Sequence, residues 1–309
     1  MAANKLPFKR RFTSRSTATQ VLQDETIEGK TILVTGGSSG IGVATVEALA
    51  KKGATVIFTG RNVSSSEELI RNLKVSTPFA KVDFMPLNLC SLKDVQRKLD
   101  IVIFNAGMFG GSHTVTEDGY EAAFQVNVLS QLYLLNFLKP TIFKSTPARI
   151  VFVSSDGHRG TNLTLEKLSE EALSPPSKDS YPWRQYANSK YCQILLSAYI
   201  QKHWSSSGVT SYALHPGHLI ATNIVREWSL GSAFAWLAKP FTKTLEQGAA
   251  TTVYCAAAAE LADQGGKYWN HCWVCEPVVR EQQAKLEEAV WQLCQKMIVD
   301  KVPGYIIPE

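Results

Sequence analysis

The chain has 309 residues, 45% of them hydrophobic and 19% charged, a composition that can build a core and excludes a disordered chain. Its net charge of +5 is too small a basic excess to argue for nucleic acid as a partner. The 6 cysteines are too sparse for a disulfide scaffold, and no apolar run reaches the ~18 residues of a membrane span.

Residues 1–27 form a polar, basic lead in which Lys5, Lys9, Arg10, Arg11 and Arg15 precede any acidic residue. The favoured reading is a solvated linker. A mitochondrial presequence or a nuclear signal is the alternative. There is no apolar stretch of the secretory kind, so a cytoplasmic location is expected.

From residue 30 short apolar runs alternate with helical segments. Thr31–Val34, Thr55–Thr59, Val82–Leu87, Ile101–Phe104, Ile150–Val153 and Thr210–Leu214 read as buried strands, and 42–52 as the first helix between them. Continuous β-branched runs separated by helices indicate a parallel sheet covered on both faces, a doubly wound, Rossmann-type α/β fold. Residues 219–262 are expected to be helical and Glu276–Val302 to form one amphipathic helix. Residues 28–275 are read as one domain, with 276–309 as its C-terminal helix and tail.

The segment Thr35-Gly36-Gly37-Ser38-Ser39-Gly40-Ile41-Gly42 falls between the first strand and the first helix. Gly36 permits the tight turn, Gly40 lets backbone approach a pyrophosphate, and Gly42 lets helix and strand pack closely. The helix N-terminus offers unpaired N–H groups to phosphate. At the end of the second strand stands Gly60-Arg61-Asn62, with no acid to bind a ribose 2′-hydroxyl. A guanidinium there suits a 2′-phosphate, so NADP (NADPH) is expected, with NAD as the weaker alternative.

Tyr186 and Lys190 are one helical turn apart on one face. A phenol near pKa ~10 serves as acid or base at neutral pH only if a cation favours its phenolate. Ser154-Ser155 follow the fifth strand and Asn105-Ala106-Gly107 the fourth, both at carboxyl ends, where ligands bind in open α/β sheets. Asn127 lies on the next helical stretch.

Together the glycine loop, Asn105-Ala106-Gly107, Asn127, Ser155 and Tyr186-Ala187-Asn188-Ser189-Lys190 resemble the short-chain dehydrogenase/reductase superfamily, in its retinol dehydrogenase-like branch. The resemblance implies that Tyr186 is the acid/base and that Lys190 lowers its pKa and holds the nicotinamide ribose. Ser155 would orient the substrate oxygen, and Asn127 would anchor a relay water. Gly36, Ser38, Ser39, Gly40, Ile41 and Arg61 would hold the adenosine phosphates. Asn105 would contact the cofactor ribose, with Ala106 and Gly107 beside it at the cofactor, and Pro216, Gly217 and Thr222 would face the nicotinamide. The implied reaction is hydride transfer between nicotinamide and a lipophilic alcohol or carbonyl. A homodimer is allowed.

Three features depart from that pattern. No Trp precedes Trp183, so no WW-type peptide binding is expected. Asn88 stands where the family has an Asp near the adenine. The connection from Asn88 to Asp100, read as a helix over Ser91–Leu99, is close to the shortest that a parallel crossover permits. It suits either a compact natural variant or a shortened isoform. The alternative function is a catalytically weak nucleotide-binding regulatory or scaffold protein. His271-Cys272-Trp273-Val274-Cys275 lacks further ligands for a metal, and none is expected. His158 is a candidate substrate contact and His215 a structural residue, while the apolar stretch of Trp228 and Trp236 reads as packing.

Overall fold

The strand-like runs become strands because both of their faces are covered. A computed structural model describes residues 6–86, 98–109, 114–175, 181–217 and 242–308. Within them β1 (Thr31–Val34), β2 (Thr55–Gly60), β3 (Lys81–Pro86), β4 (Ile101–Phe104), β5 (Ala148–Val153), β6 (Val209–His215) and β7 (Tyr268–Asn270) are parallel, and β8 (Trp273–Cys275) returns antiparallel. The order is β3-β2-β1-β4-β5-β6-β7-β8. The chain therefore reverses its direction of winding between β1 and β4, which opens a crevice at their carboxyl ends.

Alternate residues of each strand feed opposite cores. Ile32, Val34, Ile103, Val151 and Leu214 belong to one, which is closed by α1 (Ala18–Leu22), α2 (Gly40–Lys51) and α8 (Leu245–Ala257). Leu33, Val102, Phe104, Ile150 and Phe152 belong to the other, under α5 (Ser130–Lys144), α7 (Pro182–Trp204) and α9 (Gln283–Lys301). Phe104 and Phe152 stack there at 5.0 Å. On β3, an edge strand, only Val82 is fully buried, and Pro86 ends the ladder. A proline's missing N–H costs least at an edge.

The structure departs from the expectations in three places. The described part of the lead is not a solvated linker throughout: Val21 and Leu22 are 1% and 2% exposed in the first core, and Arg11 pairs with Asp24, Glu25 and Glu260. Helix α1 is capped by a reciprocal box between Thr17 and Gln20. Second, residues 268–275 form the β7–β8 hairpin, whose two turn residues His271 and Cys272 have φ of 54° and 53°. Third, the C-terminal helix begins at Gln283 rather than Glu276. Pro277 disfavours helix in the residue before it, and Gln282 has φ of 54° at the N-cap. In the stretch expected to be helical over 219–262, α8 is present with a Thr244–Gln247 capping box. Residues 218–241, which include Thr222, Trp228 and Trp236, lie outside the described residues, as do Asn88, Cys90 and nearly all of the Ser91–Leu99 crossover.

Candidate active site

The glycine loop is held by the segment after β4. Asn105 Nδ2 donates to the carbonyls of Thr35 (3.0 Å) and Gly36 (3.1 Å), and Thr35 Oγ1 accepts the Ala106 N–H at 3.0 Å. Asn105, expected on a cofactor ribose, thus commits its amide donors to bracing the loop. Gly36 has φ of +66°, and a Cβ on Gly42 would fall 2.1 Å from Gly36 O, so neither position accepts a side chain. Ser39 is the N-cap of α2 but makes no side-chain cap hydrogen bond, so its hydroxyl satisfies none of the helix's first N–H groups; the Gly42 N–H donates to Ser39 O at 3.1 Å. Ser38 Oγ packs against Gly60, one residue before Arg61. Arg61 is exposed and makes no ion pair among the described residues.

The proposed chemical groups converge at the neighbouring strand ends. Tyr186 and Lys190 sit on α7, which starts with Pro182 at its first turn, where a missing N–H does no harm. Lys190 is buried and Tyr186 half-buried, both on the crevice side. The Tyr186 ring and the Ser155 hydroxyl both face Gly157; Ser155 follows β5 and caps the 3₁₀ turn Asp156–Gly160 through its hydroxyl. Burial raises the Tyr186 pKa, and the Ser155 side chain pulls it back. Lys190 Nζ lies 5.7 Å from the Tyr186 ring centre and donates to Val153 O at 2.9 Å. Burial lowers its pKa to about 7. A Cβ on Gly107 would meet Lys190 Nζ at 3.1 Å, so a side chain there would crowd the amine.

Asn127 falls in a single π-helical turn (Gln125–Leu129), leading into α5. Such turns free backbone groups from the helical ladder. Its side chain exchanges hydrogen bonds with Met108 N (2.9 Å) and Met108 O (3.0 Å) and donates to Ser189 Oγ at 3.0 Å. Its carbonyl accepts from Gln193 Nε2 at 3.0 Å. Asn127 therefore locks the loop after β4 to α7.

Sequence reasoning missed the aromatic surround. Phe109 meets the Tyr186 ring edge-on at 5.2 Å, and Trp183 lies 5.9 Å from the same ring. Gly157 and Gly160 make room for the indole, since a Cβ would come to 3.2 Å and 2.9 Å of it. Trp183 precedes Tyr186 by three residues, a helical neighbour spacing that could have flagged it. Pro216 and Gly217 follow β6 at the same rim, and Gly217, with φ of 121°, packs against Lys243. His158 is fully buried between Ser155 O (2.7 Å) and the Val278 N–H (3.1 Å), which makes it structural rather than a substrate contact. His215 Nδ1 accepts from Asp156 N and steadies the same turn.

Comparison with known proteins agrees with this geometry. Residues 30–163 match the family model described as short chain dehydrogenase. The chain is 39% identical to a WW domain-containing oxidoreductase of Gallus gallus, over 96% of this chain and 75% of that one. It is 31% identical to human retinol dehydrogenase 12, over 88% and 87% respectively. Among solved structures it resembles a gluconate 5-dehydrogenase of Burkholderia cenocepacia in complex with NADP and tartrate. The TM-score is 0.59 at 20% identity, covering 78% of this chain and 93% of that chain, a likeness of fold. No described helix is long and apolar enough to cross a membrane. The chain belongs to the short-chain dehydrogenase/reductase family of oxidoreductases, in the branch of the WW domain-containing oxidoreductases and retinol dehydrogenase 12.

Proposed function

We propose that the chain transfers hydride between NADP(H) and a lipophilic alcohol or carbonyl, with Tyr186 as acid/base. The observation that carries this reading is the Tyr186 phenol packed with Ser155 against Gly157, beside the buried Lys190 that donates to Val153 O, at the rim that the glycine loop shares. The residues suit the dinucleotide: backbone that no Cβ could cover, a helix start whose N-cap side chain makes no capping bond, and an exposed Arg61, without an ion pair among the described residues, next to the Gly60 that packs on Ser38. When bound, NADPH supplies the hydride.

In the reducing direction Ser155 donates a hydrogen bond to the substrate oxygen and Tyr186 gives that oxygen its phenolic proton. The Lys190 ammonium favours the phenolate that remains. In the oxidising direction the phenolate takes the alcohol proton. Phe109 and Trp183 favour an apolar or unsaturated substrate, because aromatic walls reward buried apolar surface more than polar groups. Tyr186→Phe keeps the ring packing and removes the proton. It is expected to abolish NADPH-dependent turnover across a panel of aldehydes and alcohols while NADPH binding, read by nucleotide fluorescence, survives. Turnover at the wild-type rate in that variant refutes the assignment.

A further inference from the structure

The Lys190 ammonium has a second acceptor besides Val153 O: Gln193 Oε1, at 3.1 Å. Gln193 is fully buried and continues inward. Its Nε2 donates to Asn127 O (3.0 Å) and to Gln131 Oε1 (2.9 Å), and Gln131 Nε2 donates to Ala106 O at 2.7 Å. The polarity of this chain is fixed from one end. The Ala106 carbonyl can only accept, so Gln131 must turn its nitrogen to it and its oxygen to Gln193. Gln193 must then present its nitrogen to Gln131 and Asn127, and its oxygen to Lys190. A reversed Gln193 amide would set two donors, NH2 and ammonium, against each other and crowd three oxygens behind it.

An ammonium carries three donors, and two of Lys190's are committed to fixed oxygens. The third is left for the Tyr186 side of the crevice. A flexible four-carbon stem would otherwise hold its head group in several rotamers. No carboxylate faces Lys190 among the described residues, and Tyr186 is the titratable ring beside it. Neutral oxygens thus hold the charge.

We propose that Gln193 is a positioning residue for Lys190, aiming the ammonium at Tyr186 and tying it through Gln131 to Ala106 in the loop after β4. The proposal rests on the role proposed above for Lys190 and adds the element that sets it. Hydrogen-bond acceptors favour the protonated amine, so removing Gln193 Oε1 must make Lys190 easier to deprotonate.

The test reads the titration of Lys190 by NMR of its labelled side chain in the full chain, with no cofactor or substrate added. Gln193→Met keeps the length and removes the oxygen, and the midpoint is expected to fall by about one pH unit. Gln193→Glu puts a carboxylate there, and the midpoint is expected to rise. Gln131→Leu leaves Gln193 in place but removes the acceptor that orients it. A smaller fall is expected, which serves if the Gln193 variants do not fold. The same midpoint in wild type and every folded variant overturns the proposal. Turnover plays no part in this readout, so a chain without reductase activity would still show the shift if the Gln193 link is real.

Discussion

At the residue scale, the proposed preference for NADP(H) turns on Arg61. It stands just past β2, next to the Gly60 that packs on Ser38, and without an acidic partner among the described residues. A guanidinium in that position gains a charge-assisted hydrogen bond only from a nucleotide that carries a 2′-phosphate. Such a bond contributes about 1.5–3 kcal/mol. Arg61→Ala should therefore weaken NADPH binding by about 10- to 100-fold and leave NADH nearly unchanged. Fluorescence titration with both nucleotides checks this. Equal weakening of the two would mean that Arg61 shapes the loop and does not read the phosphate. The same scale explains why the tyrosine–lysine pair was legible: residues four apart on a helix share a face in any context. The amide chain behind them was not. Gln131, Asn127 and Gln193 come from two distant segments that only the fold brings together.

At the scale of elements, the strands β1, β2 and β4 could be read because two covered faces demand uninterrupted apolar runs. The β7–β8 hairpin could not. Its turn needs two residues with positive φ, and the chain supplies His271 and Cys272 instead of the Asn-Gly or Gly-Gly that would announce it. The start of α9 was hidden too, because residues 276–282 are bound across the 3₁₀ turn by contacts remote in sequence. Arg159 donates to Glu276 O, Arg280 donates to Thr161 O at 2.7 Å, and Val278 N–H donates to His158 Nε2. That last bond requires His158 to be neutral at Nε2, with its proton on Nδ1 facing Ser155 O. Burial lowers the His158 pKa below its ordinary 6.5. The unfolded chain therefore takes up a proton first as pH falls. The contribution of His158 to stability is complete above about pH 6.5 and declines below it, by at most ~1.4 kcal/mol per pH unit. The gap in unfolding free energy between wild type and His158→Leu should narrow on acidification through this window, measured by urea denaturation at several pH values. A gap constant with pH would show that the ring contributes packing alone.

At the scale of the molecule, the two cores are closed from different parts of the chain, and the first depends on the lead. Helix α1 lies against α2 and α8 through Ala18, Val21 and Leu22, all within 2% of full burial. Phe12 meets Tyr254 edge-on at 5.6 Å, and Thr19 Oγ1 bonds Glu246 at the start of α8. Glu25 is 6% exposed and accepts from both Arg11 and the Ala259 N–H, so the lead also satisfies a backbone donor just past α8. Its basic charges mislead a reader of the sequence because Arg11 is consumed by Asp24 and Glu25 within the lead and by Glu260 far along the chain. If the lead is part of the folding unit, trimming one buried side chain in it should cost what a core truncation costs. Leu22→Ala is expected to lower stability by about 2–5 kcal/mol with an unchanged denaturant slope. A flexible linker would lose under about 0.5 kcal/mol from the same change, the range of ordinary surface substitutions. Because α2 begins at the glycine loop and packs on α1, the same variant should also weaken NADPH binding if the loop depends on that support. A large loss of stability with unaltered NADPH affinity would confine the lead's role to closing the core.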